Sequence, residues 1–105
     1  MKLYIDTAGK QFQVSRDVEE KKDQNGQQRS EKGTGRLMWS TQVIALDETG
    51  AEVITITTAG VKPDVRVGTI VAPVRLEAIA WATNGKNGVA YKSEELKPVS
   101  VASAK

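Results

Sequence analysis

Cysteine and histidine are both absent from the 105 residues of this chain. Without cysteine the chain can form neither a disulfide nor a thiolate metal site. Without histidine it lacks the commonest general base, so a serine-hydrolase triad, a cysteine-protease dyad and a histidine-based zinc site are all excluded. Aromatic residues are scarce as well, with two Trp, two Tyr and one Phe. Any surface that uses aromatic stacking must therefore be built from very few side chains.

Long hydrophobic runs are also missing. No stretch approaches the roughly 20 apolar residues of a membrane helix, and Met1–Asp6 lacks the apolar centre of a signal peptide. We therefore expect a cytoplasmic protein without membrane association. The hydrophobic fraction is 39% and the charged fraction 27%, which is typical of one soluble domain. We expect that domain to span residues 1–99, followed by a disordered tail at 100–105.

Short runs rich in Thr, Val and Ile, each ended by Gly, Asn, Asp or Pro, indicate strands rather than helices. A small closed barrel is favoured at this length, because closure removes exposed strand edges and a sandwich usually needs more strands. The turns Glu48–Gly50 and Asn84–Gly88 predict two hairpins. The five predicted strands are a bent first strand (Lys2–Asp6 with Gln11–Val18), Leu37–Asp47, Glu52–Ala59, Thr69–Trp81 and Val89–Lys92.

Residues 17–36 differ from the rest of the chain. They carry many charges, and after Val18 they include no aliphatic or aromatic side chain. Asn25-Gly26 is a strong turn signal within this segment. The pattern predicts either a long solvated hairpin or a flexible charged loop.

Alternation along the fourth strand predicts which residues face the core. Ile70, Ala72, Val74, Leu76, Ala78 and Ala80 would share one, alanine-rich face, and that face would be buried. Trp81 would then lie on the opposite face, partly exposed beside the turn. Tyr91 would lie across the turn from it. Phe12 and Tyr4 are assigned to the core.

The segment Arg66–Val99 resembles the last two strands of an OB-fold. The resemblance is carried by Trp81–Lys92, which is similar to the hairpin of single-stranded-DNA-binding proteins of phages and mobile elements, and by Glu94–Val99, which is similar to their closing stretch. In length and segment order the chain also resembles actinobacterial plasmid proteins that activate replication, integration and excision. The resemblance implies a five-stranded OB-like Greek-key barrel with a long flexible loop between its first two strands.

Single-strand binding needs aromatic faces for bases and cations for phosphates. Trp81 is a stacking candidate, Trp39 is either a stacking or a core residue, and Tyr91 either stacks on bases or only pairs across its hairpin. In an OB-fold two loops border the binding cleft, so the resemblance places two basic loops there. The cationic candidates are Arg36, Lys32, Arg75, Lys86 and Lys92.

The predicted function is non-enzymatic binding of single-stranded DNA in the replication or maintenance of a phage, plasmid or mobile element. DNA is not distinguished from RNA at this stage. No cofactor or metal is expected, and adjacent carboxylates such as Glu94-Glu95 would point to opposite faces of a strand rather than work as a catalytic pair. The alternative is a protein–protein adaptor or regulatory activator in a replication or excision complex. A homodimer and a replication-protein partner are further expectations.

Overall fold

The structure is a computed structural model, and it describes residues 2–99. The tail predicted at 100–105 lies outside the described residues. Within residues 2–99 the chain is all-β, with nine strands and no helix. The strands are β1 Leu3–Tyr4, β2 Gln11–Val14, β3 Glu19–Glu20, β4 Met38–Asp47, β5 Gly50–Ala59, β6 Ile70–Val74, β7 Glu77–Thr83, β8 Lys86–Lys92 and β9 Glu95–Pro98.

The strands form one strongly curled sheet in the order β1-β7-β8-β5-β4-β2-β6-β9, and β3 pairs with β4 beside this path. All neighbours are antiparallel except β5 and β8, which are parallel. The curl follows from the chain between β6 and β7, which are separated only by Arg75 and Leu76. Because β6 pairs with β2 and β7 pairs with β8, this one stretch of chain lies at two distant places in the strand order. The sheet therefore wraps into a barrel-like shape around its core.

The core consists of aliphatic side chains and one aromatic ring from the concave face of the sheet. Phe12 is only 3% exposed, in agreement with its predicted position. Ile5, Ala45, Val65 and Tyr91 pack against this core from its margin. The buried cluster contains Phe12, Val14, Val43, Ile54, Ile56, Val71, Leu76 and Leu96.

The predicted core face of the fourth strand is wrong before Arg75. Val71 and Pro73 are buried there, whereas Ala72 of the predicted face is exposed. The reason is a kink at Arg75, which adopts a left-handed backbone conformation with φ of 52°. Such a residue interrupts the two-residue alternation of a strand, so the inward positions change from odd to even numbers. Leu76, directly after the kink, is accordingly buried. Ala80 lies on the predicted inner face, but it is exposed because its part of the strand extends beyond the core.

Residues 17–36, here called the charged arm, fold back against β4. Glu20 of β3 pairs with Trp39, and further bridges join Lys22 to Gln28 and Ser30 to Leu37. The Asp23 carboxylate accepts hydrogen bonds from the amides of Asn25 and Gln27, and these close the turn that the Asn25-Gly26 pair predicts. The arm thereby brings its last six residues, 31–36, to the outer surface of the sheet.

Candidate nucleic-acid interface

The hairpin of β7 and β8 projects from the sheet as a two-stranded ribbon. Its register joins Thr83 to Lys86, so the turn consists of Asn84 and Gly85 alone. Both have positive φ values, 53° and 79°, as a type I′ turn requires. The predicted five-residue turn is therefore wrong, and Gly88 lies inside β8. Among the described residues, positions 79–90 pair only with each other, because β1 ends opposite Ala78 and β5 contacts β8 only at Tyr91 and Lys92.

One face of this ribbon carries an exposed indole between two lysines. Lys86, Gly88 and Lys92 alternate along β8 and share this face, and Trp81 of β7 lies directly opposite Gly88. Trp81 is 45% exposed. The two lysines are six positions apart along the extended strand, which corresponds to about 20 Å. The arrangement is thus a linear row of cation, aromatic ring and cation, long enough for a few nucleotides.

The other face of the ribbon points toward the core at its base. Tyr91 lies on this face, paired with Ala78, and packs against the core from its margin. Strand alternation therefore puts Tyr91 and Trp81 on opposite faces, and the expected proximity of the two rings is wrong. Nearer the tip this inner face is exposed and apolar, with Val89 at 51% exposure beside Ala80 and Ala82.

At the base of the ribbon the outward face runs into a charged cleft of about 500 Å³. The carboxylate of Glu31 lies between two of the candidate cations, 2.9 Å from Nη2 of Arg36 and 3.6 Å from Nζ of Lys92. The hydroxyl of Thr34 donates to the same carboxylate over 2.7 Å. These hydrogen bonds, first from Thr34 and then from Arg36, lower the pKa of Glu31 to about 2. Glu31 is therefore ionised throughout the neutral range.

Arg75 lies beside the same cleft and contacts two residues that line it. Its guanidinium lies 4.6 Å from the ring centroid of Tyr4, donates to the Tyr4 hydroxyl over 2.8 Å, and forms an ion pair of 2.8 Å with Glu94. Both Tyr4 and Glu94 line the cleft. The core assignment of Tyr4 is wrong, since the residue is 45% exposed. Its ring covers the arginine at the kink instead of filling the interior.

Trp39 lies at the rim of the core. It shares the inner face of β4 with Thr41 and Val43, which are both fully buried. Its indole nitrogen donates to the carbonyl of Gly60 over 2.9 Å, and Nζ of Lys62 lies 5.8 Å from its ring centroid. The ring is half-buried. The two tryptophans consequently face opposite sides of the sheet and do not form one stacking surface.

The predicted cations are brought together only in part. Arg36 and Lys92 meet at Glu31, Arg75 adjoins them, and Lys86 lies exposed near the ribbon tip. Lys32 is exposed in a second turn of the charged arm, at residues 32–34. Arg36 and Lys92 share Glu31 of the charged arm as a carboxylate partner, and Arg75 pairs with Glu94 outside the arm. The sequence does not predict these ion pairs, because it treats the acidic residues of the arm only as interruptions of a basic loop and places Glu94 in a surface turn. Gly88 was missed too, since it was assigned to the turn.

Two kinds of feature are not found in residues 2–99. No group of three or more acidic side chains there is placed to hold a metal ion. No helix in this range is long and apolar enough to cross a membrane.

Comparisons with protein families, with curated proteins and with solved structures gave no match.

Proposed function

We propose that this protein binds single-stranded nucleic acid, DNA in the first instance, on the outward face of the ribbon and without catalysis. The observation that carries the proposal is the row formed by Lys86, Trp81 and Lys92 on one strand face. A base stacked on an exposed ring is stabilised by about 1–3 kcal/mol, and the flanking ammonium groups are placed for phosphates on either side. Stacking of this kind is independent of sequence, so little base preference is expected.

We further propose that the curled sheet is an OB-like barrel. If β6 with β7 and β8 with β9 each count as one bent strand, the pairing runs from β2 through β4, β5, β8 and β7, and returns through β6 to β2. The parallel pairing of β5 with β8 fits that order. In OB-folds the loops after the first and fourth strands border the ligand cleft. Here those loops correspond to the charged arm and the ribbon, which supports a binding surface between them.

The charge balance limits the expected affinity. The net charge is only +2, and carboxylates partner most of the cations in the cleft. We therefore expect a modest binder in which Trp81 contributes much of the affinity. Two phosphate contacts, from Lys86 and Lys92, imply a loss of about sevenfold in affinity between about 50 mM and about 200 mM salt.

The test is fluorescence anisotropy of a labelled oligo-dT titrated with the protein at both salt concentrations, with a duplex of the same length for comparison. Trp81→Ala should weaken binding by about 1–3 kcal/mol, that is, by about 5-fold to 150-fold. Val89→Ala is the matched control, because Val89 is equally exposed on the same ribbon but faces the other way. Val89→Ala should leave the affinity unchanged.

The same titration tests the second candidate, a protein–protein adaptor. It is favoured by the inner face of the ribbon tip, where Val89, Ala80 and Ala82 are exposed and apolar. Absence of binding to both oligo-dT and duplex would refute the nucleic-acid proposal and favour the adaptor. Equal losses from Trp81→Ala and Val89→Ala would show that stacking on Trp81 is not the mode of binding.

A further inference from the structure

The Glu31 carboxylate occupies a position that suits an anion with several oxygens. It accepts hydrogen bonds from the guanidinium of Arg36 and the hydroxyl of Thr34, and it forms an ion pair of 3.6 Å with the ammonium of Lys92. This is the donor set that protein sites offer to phosphate groups, in which arginine binds two oxygens and lysine acts as a point charge. The Glu31 side chain is 17% exposed, whereas those of Arg36 and Lys92 are 56% and 41% exposed, so both cations remain accessible from solvent.

The position of Lys92 connects this cluster to the ribbon. Lys92 belongs both to the outward row with Trp81 and to the cluster around Glu31. A strand stacked on Trp81 and continuing toward the base of the ribbon would therefore bring its next phosphates to Lys92 and Arg36. In the structure these two cations are already engaged by Glu31.

We propose that Glu31 is a built-in substitute for a backbone phosphate, and that a phosphodiester of the bound strand displaces its carboxylate from Arg36 and Lys92. This inference rests on the proposed function and specifies how the same surface is regulated. Only the side chain of Glu31 has to move, because its backbone is held separately. Its amide donates to the carbonyl of Arg36 over 2.8 Å, and its own carbonyl accepts from the amide of Gly35 over 2.9 Å.

Displacement has a cost, since two ion pairs are broken before the phosphate contacts form. Glu31→Gln removes the charge while its amide oxygen still accepts from Thr34 and Arg36, so the arm should keep its fold. We expect E31Q to bind oligo-dT about threefold to tenfold more tightly than the unmodified protein. Glu48→Gln is the matched control, because it makes the same change in net charge in the turn between β4 and β5, outside the cleft.

A second variant tests whether the gain depends on the same cation. In the double variant Glu31→Gln with Lys92→Met, the gain over the Lys92→Met single variant should be smaller than the gain of E31Q over the unmodified protein. Circular dichroism melting of each variant checks that the fold is intact.

Three outcomes are distinguishable in the oligo-dT titration. A gain by E31Q that exceeds that of E48Q, and that shrinks without Lys92, supports displacement by phosphate. Binding by the unmodified protein with E31Q equal to or weaker than E48Q would overturn this inference and leave the proposed function standing. Absence of binding by the unmodified protein and all of the variants would overturn both.

Discussion

The indole of Trp81 lies so close to Gly88 that no side chain would fit between them. A Cβ built on Gly88 would be 2.7 Å from Cζ2 and 2.9 Å from Cε2 of Trp81. The φ angle of Gly88 is not among the positive values of this chain, so its backbone does not demand glycine. Glycine is required there for space, because it lets the ring of the opposite strand rest on the backbone of β8.

Gly88→Ala should therefore displace the Trp81 ring and reduce oligo-dT binding. The expected loss approaches that of Trp81→Ala, within the range of about 1–3 kcal/mol for one stacked base. It should be accompanied by a change in tryptophan emission, because one of the two indoles changes its surroundings. Asn87→Ala, on the other face of the same strand, is the control. Unchanged binding and emission for Gly88→Ala would contradict the close contact.

The kink at Arg75 should depend on backbone conformation more than on the ion pair. Arg75→Gly and Arg75→Val both remove the contacts with Tyr4 and Glu94, but only valine is strained at a φ of 52°. We expect Arg75→Val to be less stable than Arg75→Gly by about 1–2 kcal/mol, measured by urea unfolding. Equal stabilities would mean that the chain relaxes out of the left-handed conformation at little cost.

Thr41 should tolerate an apolar replacement. Its hydroxyl is fully buried and has no hydrogen-bond partner among the described residues. Thr41→Val keeps the shape and removes an unsatisfied polar group, so the free energy of unfolding should stay the same or rise by about 1 kcal/mol. Ser93→Ala is the contrasting variant, since the equally buried Ser93 hydroxyl donates to the carbonyl of Val74 over 2.8 Å. It should destabilise by about 1 kcal/mol, because the hydrogen bond of the hydroxyl is lost while the Val74 carbonyl keeps the one from the Glu94 amide. A larger loss from Thr41→Val than from Ser93→Ala would refute this prediction.

Acid should weaken the fold partly through Glu31. Its pKa is lowered from 4.5 to about 2 in the folded state, so its contribution to stability is complete above 4.5 and is lost as the pH falls toward 2. The pKa of Asp47 is lowered as well, by its hydrogen bonds with Lys10 and Thr49, and adds a loss in the acid range. We expect the urea concentration at the midpoint of unfolding to decrease as the pH is lowered from about 6 to about 2.5. The decrease should be smaller in E31Q than in E48Q. Equal falls in the two variants would show that Glu31 is not stabilised in its charged form.

Local sequence patterns predicted much of the fold. The β-branched runs located β4 and β5, although β5 begins at Gly50 rather than at Glu52. The Asn84-Gly85 pair lies at the ribbon turn, inside the five-residue turn that was predicted. The nine strands differ from the five predicted for two reasons. Bends divide the first and fourth predicted strands into two each, and β3 of the charged arm and β9 lie outside the five predicted strands. Arginine is not a residue that ordinarily marks a left-handed conformation, so Arg75 itself does not signal the kink. Pro73, two residues earlier, indicates an edge or a bulge near this position.

Several residues of the candidate site could be predicted from the sequence, but their arrangement in space could not. The sequence identified Trp81, Lys86 and Lys92 as candidates, but their common face follows from the register of β7 with β8. The sequence did not show that Tyr91 and Trp81 lie on opposite faces of the ribbon. A turn of five residues would pair the two directly, whereas the two-residue turn pairs Tyr91 with Ala78. Tyr4 was assigned to the core, whereas its ring lies on a guanidinium from a distant part of the chain.

The sequence by itself determined that this is an all-β chain without the residues for thiol or imidazole chemistry, because strand propensity and side-chain chemistry are local properties. Only the tertiary structure decided which residues meet. Glu31 and Lys92 are far apart along the chain, and the fold of the charged arm against β4 brings them together. The face that each side chain takes depends on register and kinks, which arise from the packing of the whole sheet and cannot be read from any one segment.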